Sequence, residues 1–140
     1  MKLLYSILFG IAVHICAISQ STNLPYINFT VEDGLPSMHA YDVIQDNNGY
    51  IWIGTDAGVT QFDGYSFENL TTKNGLSNND VFRLKEDKKK RLWLCSIQNL
   101  SYLKNGRVHQ LVGEKPNHFR YILEIRETQG GFWIGRSNGV

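Results

Sequence analysis

Beyond its first stretch, the chain alternates apolar and polar residues in short runs divided by Gly, Asn and Asp, the period-two signature of strands. The clearest run is Asp46-Asn47-Asn48-Gly49-Tyr50-Ile51-Trp52-Ile53-Gly54-Thr55. Strand side chains alternate, so Tyr50, Trp52 and Gly54 share one face while Ile51, Ile53 and Thr55 share the other. Asn48-Gly49 is a favoured turn pair because both residues reach positive φ at little cost. The pattern returns at residues 87–96 and again at 128–135. Trp52 to Trp93 is a step of 41 residues, and Trp93 to Trp133 a step of 40. Asp46 and Asp87 stand six residues before their Trp and Thr128 five, so the third turn is one residue shorter. Val43, Leu84 and Ile125 then fall at one register position.

The remaining runs predict strands at 26–31, 40–45, 59–62 and 65–70 in the first unit. Residues 32–37 read as a turn, and Asp63-Gly64 as a two-residue hairpin. The second unit repeats this with strands at 81–86 and 100–103 and with Asn105-Gly106 at the hairpin. The third opens with a strand at 120–125, and Gly139-Val140 aligns with Gly58-Val59. Four short strands and one Trp per ~41 residues make a β-propeller blade, and the internal repeat decides against a sandwich. The expected fold is all-β: about two and a half four-stranded antiparallel blades, as repeats of about 26–72, 73–113 and 114–140, following an N-terminal signal peptide. A blade cannot bury both faces alone, so it packs between neighbours. Trp52, Trp93 and Trp133 are expected in those joints. Gly54 and Gly135 mark a close backbone approach or a bend.

Residues 1–19 stand apart. Lys2 precedes a mainly apolar run to Ile18, and Ala17-Ile18-Ser19 has the small residues a signal peptidase reads. The run is short for a membrane span. Cys16 raises a lipoprotein alternative, but Ile15 stands where such a signal needs a small residue. Export to the periplasm is the expectation, with 20–140 as the mature propeller. The chain has 14 basic and 13 acidic residues, and cleavage would remove only Lys2 among them. A neutral mature chain gives no pull toward nucleic acid or an anionic membrane. Cys95 alone would remain, in the place of Gly54 and Gly135, so no internal disulfide is expected and a buried strand position is.

The ordered set Asp46-x-x-Gly49-Tyr50-Ile51-Trp52-Ile53-Gly54-Thr55, Gly58-Val59, Phe62-Asp63-Gly64 and Gly75-Leu76-Ser77-Asn78 resembles the two-component regulator propeller repeat. The resemblance covers residues 26–140. The second unit departs at Lys88-Lys89-Lys90, which lacks the turn Gly, and at Cys95; the third departs at Thr128 and Arg136. Such repeats build the periplasmic sensor region of bacterial histidine kinases, including hybrid systems common in Bacteroidetes. The resemblance implies a seven-bladed propeller, a downstream membrane span and kinase, and an oligosaccharide or other small ligand as partner. On that reading this chain is the N-terminal piece of a sensor, with no kinase activity of its own and self-association through its open blade faces.

Other chemistry was weighed on the same residues. The His residues and Cys95 show no metal-ligand spacing, no elbow brackets a Ser, and no Gly-rich phosphate loop occurs. No metal, cofactor or catalytic residue is therefore expected. Asp46 and Asp87 recur at one turn, where capping backbone N–H groups is the ordinary role. Thr55, Ser96 and Arg136 share a strand end that a ligand surface could use. The alternatives are a piece of a propeller lyase or glycosidase, or an adhesion or scaffold propeller.

Overall fold

The computed structural model describes residues 24–97, 99–111 and 122–136. The signal-peptide expectation and the Gly139-Val140 match lie outside the described residues. Among the described residues ten strands are present: β1 Ala40–Gln45, β2 Ile51–Thr55, β3 Gly58–Phe62, β4 Phe67–Leu70, β5 Val81–Glu86, β6 Leu92–Ser96, β7 Leu100–Lys104, β8 Arg107–Leu111, β9 Ile122–Thr128 and β10 Gly131–Arg136. They form two four-stranded antiparallel meanders, β1-β2-β3-β4 and β5-β6-β7-β8, and the hairpin β9-β10. The all-β propeller-blade architecture is borne out.

The register is repeated as the aligned units predict. Val43 pairs with Ile53, Leu84 with Leu94 and Ile125 with Ile134. Trp52, Trp93 and Trp133 face Ile44, Lys85 and Arg126 across their hairpins. The third turn closes in two residues, since Thr128 pairs directly with Gly131. Each first strand also carries a β-bulge at the same place, between Ala40 and Asp42, Val81 and Arg83, and Ile122 and Glu124.

Two cores lie between sheets rather than within them. Trp52, Val59, Ile44 and Leu70 of the first blade meet Leu76, Val81, Leu84, Leu92 and Leu94. Trp93, Cys95 and Leu100 of the second meet Ile122, Ile125, Phe132 and Ile134. A buried Trp contributes roughly 150–250 Å² to such a joint. Gly54 explains how the sheets come so close: a Cβ there would lie 2.6 Å from the Val81 carbonyl oxygen. At Gly135 the nearest atoms among the described residues are those of its hairpin partner Glu124, at 3.7 Å and beyond.

The blade linkers repeat as well. Thr30 and Thr71 each cap a single 3₁₀ turn, Val31–Asp33 and Thr72–Asn74, answered by Asp33 and Asn74 in a capping box. Asn69 Nδ2 donates to the Gly34 carbonyl at 3.0 Å, and Gln110 Nε2 to the Gly75 carbonyl at 2.9 Å. Each linker is thus pinned to the outer strand of the blade that follows it.

Two expected elements differ. Residues 26–30 form no strand and leave Tyr26 and Ile27 exposed, because no strand among the described residues pairs with them. Asp63-Gly64 is not a two-residue hairpin. Asp63 Oδ1 accepts the N–H groups of Tyr65 and Ser66, which lengthens the connection to 63–66 and delays β4 to Phe67. Asn105-Gly106 does make the two-residue turn, with φ of 51 and 72.

Candidate functional site

Asp46 and Asp87 each organise a turn. Asp46 Oδ1 accepts the N–H groups of Asn48 and Tyr50, and Oδ2 accepts the Trp52 indole N–H at 2.9 Å. Asp87 does the same for Lys89, Arg91 and Trp93, and also takes the Arg91 Nε–H at 2.6 Å. Burial works to raise the Asp87 carboxyl, but hydrogen bonds from Arg91 and Trp93 and the Arg91 charge hold it below the ordinary range. The Arg91 guanidinium lies over Trp93, Tyr102 and Phe132 at 4.9, 5.4 and 5.4 Å. Both carboxylates are committed to the fold, and capping alone does not describe them: each also fixes its tryptophan ring.

Gly49 takes φ 93 in the first turn, and Lys90 holds the equivalent place at φ 57. A second repeated contact crosses the joints. Asn47 N–H donates to Glu86 Oε2 at 2.8 Å, and Lys88 N–H to Glu127 Oε2 at 3.0 Å. The acid before one turn thus clasps the backbone of the turn beside it. Here an open cleft of ≈ 600 Å³ is lined by Lys85, Glu86, Lys88, Glu124, Arg126 and Glu127, a mixture of both charges.

Thr55 and Ser96 do not line a surface. Both are buried and lock their own turns, Thr55 Oγ1 donating to the Gly58 carbonyl and Ser96 Oγ to that of Asn99. Cys95 is fully buried; burial, with the nearby charges of Glu124 and Asp42, pushes its thiol up to about 12. Its thiolate fraction at neutral pH is negligible. His109 lies within β8, stacked on Tyr102 at 4.9 Å.

The opposite end of the blades brings together residues the sequence did not group. At the bulge positions, Tyr41 and Phe82 of neighbouring blades pack ring to ring at 4.8 Å. His39 Nδ1 lies 3.0 Å from Asp56 Oδ2, and His39 N–H donates to Ser37 Oγ at 3.1 Å. The Ser37 hydroxyl, chiefly, and His39 keep the Asp56 carboxyl low despite opposing desolvation. Desolvation first, then Asp56 and Asp80, raises the Tyr41 hydroxyl. Asp56 Oδ1 is a buried oxygen with no hydrogen-bond partner among the described residues. Ser37, His39 and Asp56 are not arranged as a nucleophile, base and orienting acid, because the serine hydroxyl serves Asp56 and the His39 backbone. What the cluster offers is a partly exposed aromatic pair edged by acceptors and one imidazole. Only the bulge, which turns residues 41 and 82 out of the alternation, makes this pair, and one run of sequence does not announce a bulge.

The two component regulator propeller family matches residues 34–57 and 75–98. Histidine kinase P4 of Formosa agariphila is 38% identical over 50 residues, 36% of this chain and 4% of that protein. Among solved structures, the extracellular domain of a protein described as a one component system of B. thetaiotaomicron superposes with a TM-score of 0.70 at 19% identity, covering 86% of this chain and 17% of that one. The extracellular domain of a protein described as a hybrid two component system of the same organism gives 0.70 at 20%, covering 83% and 17%. The chain thus spans a small part of each relative, and the structural likeness speaks to the fold. The chain is similar to the two component regulator propeller family over residues 34–57 and 75–98, two segments set in a propeller-type stack of blades.

Proposed function

We propose that the chain is the exported, ligand-sensing propeller module of a two-component sensor histidine kinase, with the kinase supplied by a longer polypeptide of which it is the N-terminal part. The matched repeats and the likeness to extracellular sensor domains support this reading. The observation that carries it is the end of the joint where Tyr41 and Phe82 meet beside Asp56 and His39. Two blades contribute to that surface, so an oligosaccharide or other small polar ligand seated there contacts both. Its differential affinity for two blade arrangements, or for two dimer arrangements, is what passes to a kinase.

The test is titration of the exported chain with a panel of oligosaccharides, followed by thermal shift and calorimetry. A bound member whose affinity falls at least about tenfold in Tyr41→Ala, with unchanged circular dichroism, supports the site. Binding that ignores Tyr41→Ala and Phe82→Ala places the ligand elsewhere. Reading the gene past codon 140 tests the wider claim, which fails if no further repeats, span or kinase follow in any frame.

A further inference from the structure

The two joints are built from the same parts and differ in one side chain. In the second, Asp87 Oδ2 accepts two donors, the Trp93 indole N–H at 2.9 Å and the Arg91 Nε–H at 2.6 Å. The Arg91 guanidinium lies against Trp93, Tyr102 and Phe132. In the first joint the equivalent residues are Asp46, Trp52, Gln61 and Leu92, and Tyr50 stands in the place of Arg91. Asp46 Oδ2 accepts the Trp52 indole N–H at the same 2.9 Å, and Tyr50 brings no cation to it.

Where the second joint holds a guanidinium, the first has an open pocket of ≈ 410 Å³, lined by Asp46, Tyr50, Trp52, Gln61 and Leu92 among others. Both walls come from complete four-stranded blades, so the pocket belongs to a finished joint rather than to an end of the chain. Charge points the same way. Glu86, whose Oε2 serves Asn47, also lines the pocket, and with Asp46 it outweighs the single cation of the lining, Lys90. Trp52 is buried, so a ligand there is held by the carboxylates and flanked by Tyr50 and Gln61 rather than stacked on the indole.

We infer that the first joint binds a guanidinium group from outside the chain, carried by an arginine side chain or a small guanidine, with Asp46 Oδ2 as its acceptor. The second joint shows that this frame accommodates such a group: the carboxylate that orients an indole takes a guanidinium N–H on the same oxygen. A planar, weakly hydrated guanidinium suits a partly enclosed carboxylate better than a compact, strongly hydrated ammonium. The site lies at the end of the blades away from Tyr41 and Phe82, so it does not depend on the sensing surface proposed above.

The test follows the indole N–H resonance of Trp52 in the isotope-labelled chain, because that proton is bonded to the proposed acceptor. N-acetyl-arginine amide should shift it saturably and leave the Trp93 indole in place, since the acceptor of Trp93 already carries Arg91. The neutral citrulline analogue should bind at least about tenfold more weakly. An acetylated Gly-Gly-Arg-Gly-Gly amide separates the sources: tighter binding than the single amino acid assigns the arginine of a polypeptide, and equal or weaker binding a small guanidine. Tyr50→Arg combined with Gln61→Tyr copies the second joint into the first at two side chains that are not buried, and should abolish the response by placing an internal guanidinium in the pocket. Asp46→Asn, checked as folded by circular dichroism, should weaken binding at least about tenfold. No saturable shift at Trp52 with either arginine probe, a citrulline analogue that binds as tightly, or an unchanged response in either folded variant would each overturn the inference.

Discussion

Asp87 accepts the indole N–H of Trp93 at 2.9 Å from six residues upstream, and the carboxylate side chain is fully buried in doing so. Asp46 holds Trp52 by the same bond at the same length, in a more open turn. One acid thus shapes the turn and orients the ring that seals the next joint. Asp87→Ala strands the Trp93 N–H, two backbone N–H groups and the Arg91 guanidinium in a buried place. The expected loss is about 3–5 kcal/mol. Asp46→Ala, with water at hand to replace the lost bonds, should cost about 1–2 kcal/mol. Urea unfolding of the two variants measures the difference; equal losses would mean that burial of the turn does not matter.

The same carboxylate predicts an acid limit. The folded Asp87 titrates below its unfolded value, near 3.9 for an ordinary aspartate. A depressed folded value contributes stability that is complete above the unfolded value and is lost as pH falls through the folded one. The urea midpoint should therefore be flat from neutral pH to about pH 5 and drop steeply below about pH 4. Asp87→Asn should start lower and show a shallower acid slope. An unchanged slope would assign the acid sensitivity to other groups.

The register was legible in the sequence because spacing alone sets it: one Trp per unit, and Val43, Leu84 and Ile125 at a constant offset. The aspartate-to-indole bond was not, since it depends on the turn bringing residues 46 and 52 together in space. The strand expected at 26–31 failed for a related reason. Alternation states that a segment can pair, and only a neighbouring edge makes it a strand. The Tyr41–Phe82 pair was hidden by the shared bulge, and the Glu86 and Glu127 clasps by their reach into another blade.

Lys90 marks a place where the turn overrides the residue. It holds the left-handed conformation that Gly49 holds in the first blade, and its N–H donates to the Asp87 carbonyl as Gly49 N–H does to Asp46. A side chain in that region costs about 1–2 kcal/mol, partly returned because Gly loses more freedom on folding. Lys90→Gly should raise stability by about 0.5–1 kcal/mol. Lys90→Val should lower it, since a β-branched residue tolerates positive φ least. Thermal unfolding of both variants decides; a destabilised Lys90→Gly would show that the lysine side chain has a role of its own.

Gly54 and Cys95 hold equivalent places with unequal room. A Cβ at Gly54 meets the Val81 carbonyl oxygen at 2.6 Å, a backbone atom that cannot swing aside. Gly54→Ala should force the first joint apart and cost about 1–3 kcal/mol. Cys95→Ala keeps the Cβ that position already accepts and should cost about 1 kcal/mol or less for the lost sulfur. The buried thiol, raised to about 12, should react with a thiol reagent only on unfolding, so its labelling rate should follow the opening of the second joint.

The joints should also depend on their clasps in a way that separates the blades. Glu86 Oε2 accepts both the backbone N–H and the side-chain Nδ2–H of Asn47 at 2.8 Å, whereas Glu127 accepts the Lys88 N–H alone at 3.0 Å. Two charge-assisted bonds outweigh one, and both sites are exposed, so the losses are modest. Glu86→Gln keeps an acceptor and should cost less than about 0.5 kcal/mol, while Glu86→Ala removes both bonds and should cost about 1 kcal/mol. Glu127→Ala should cost about half as much. The readout is hydrogen exchange at the Asn47 and Lys88 amides. Glu86→Ala should speed exchange at Asn47 and leave Lys88 unchanged, and Glu127→Ala should do the reverse. Exchange that rises at both amides in either variant would mean that the two joints open together rather than one at a time.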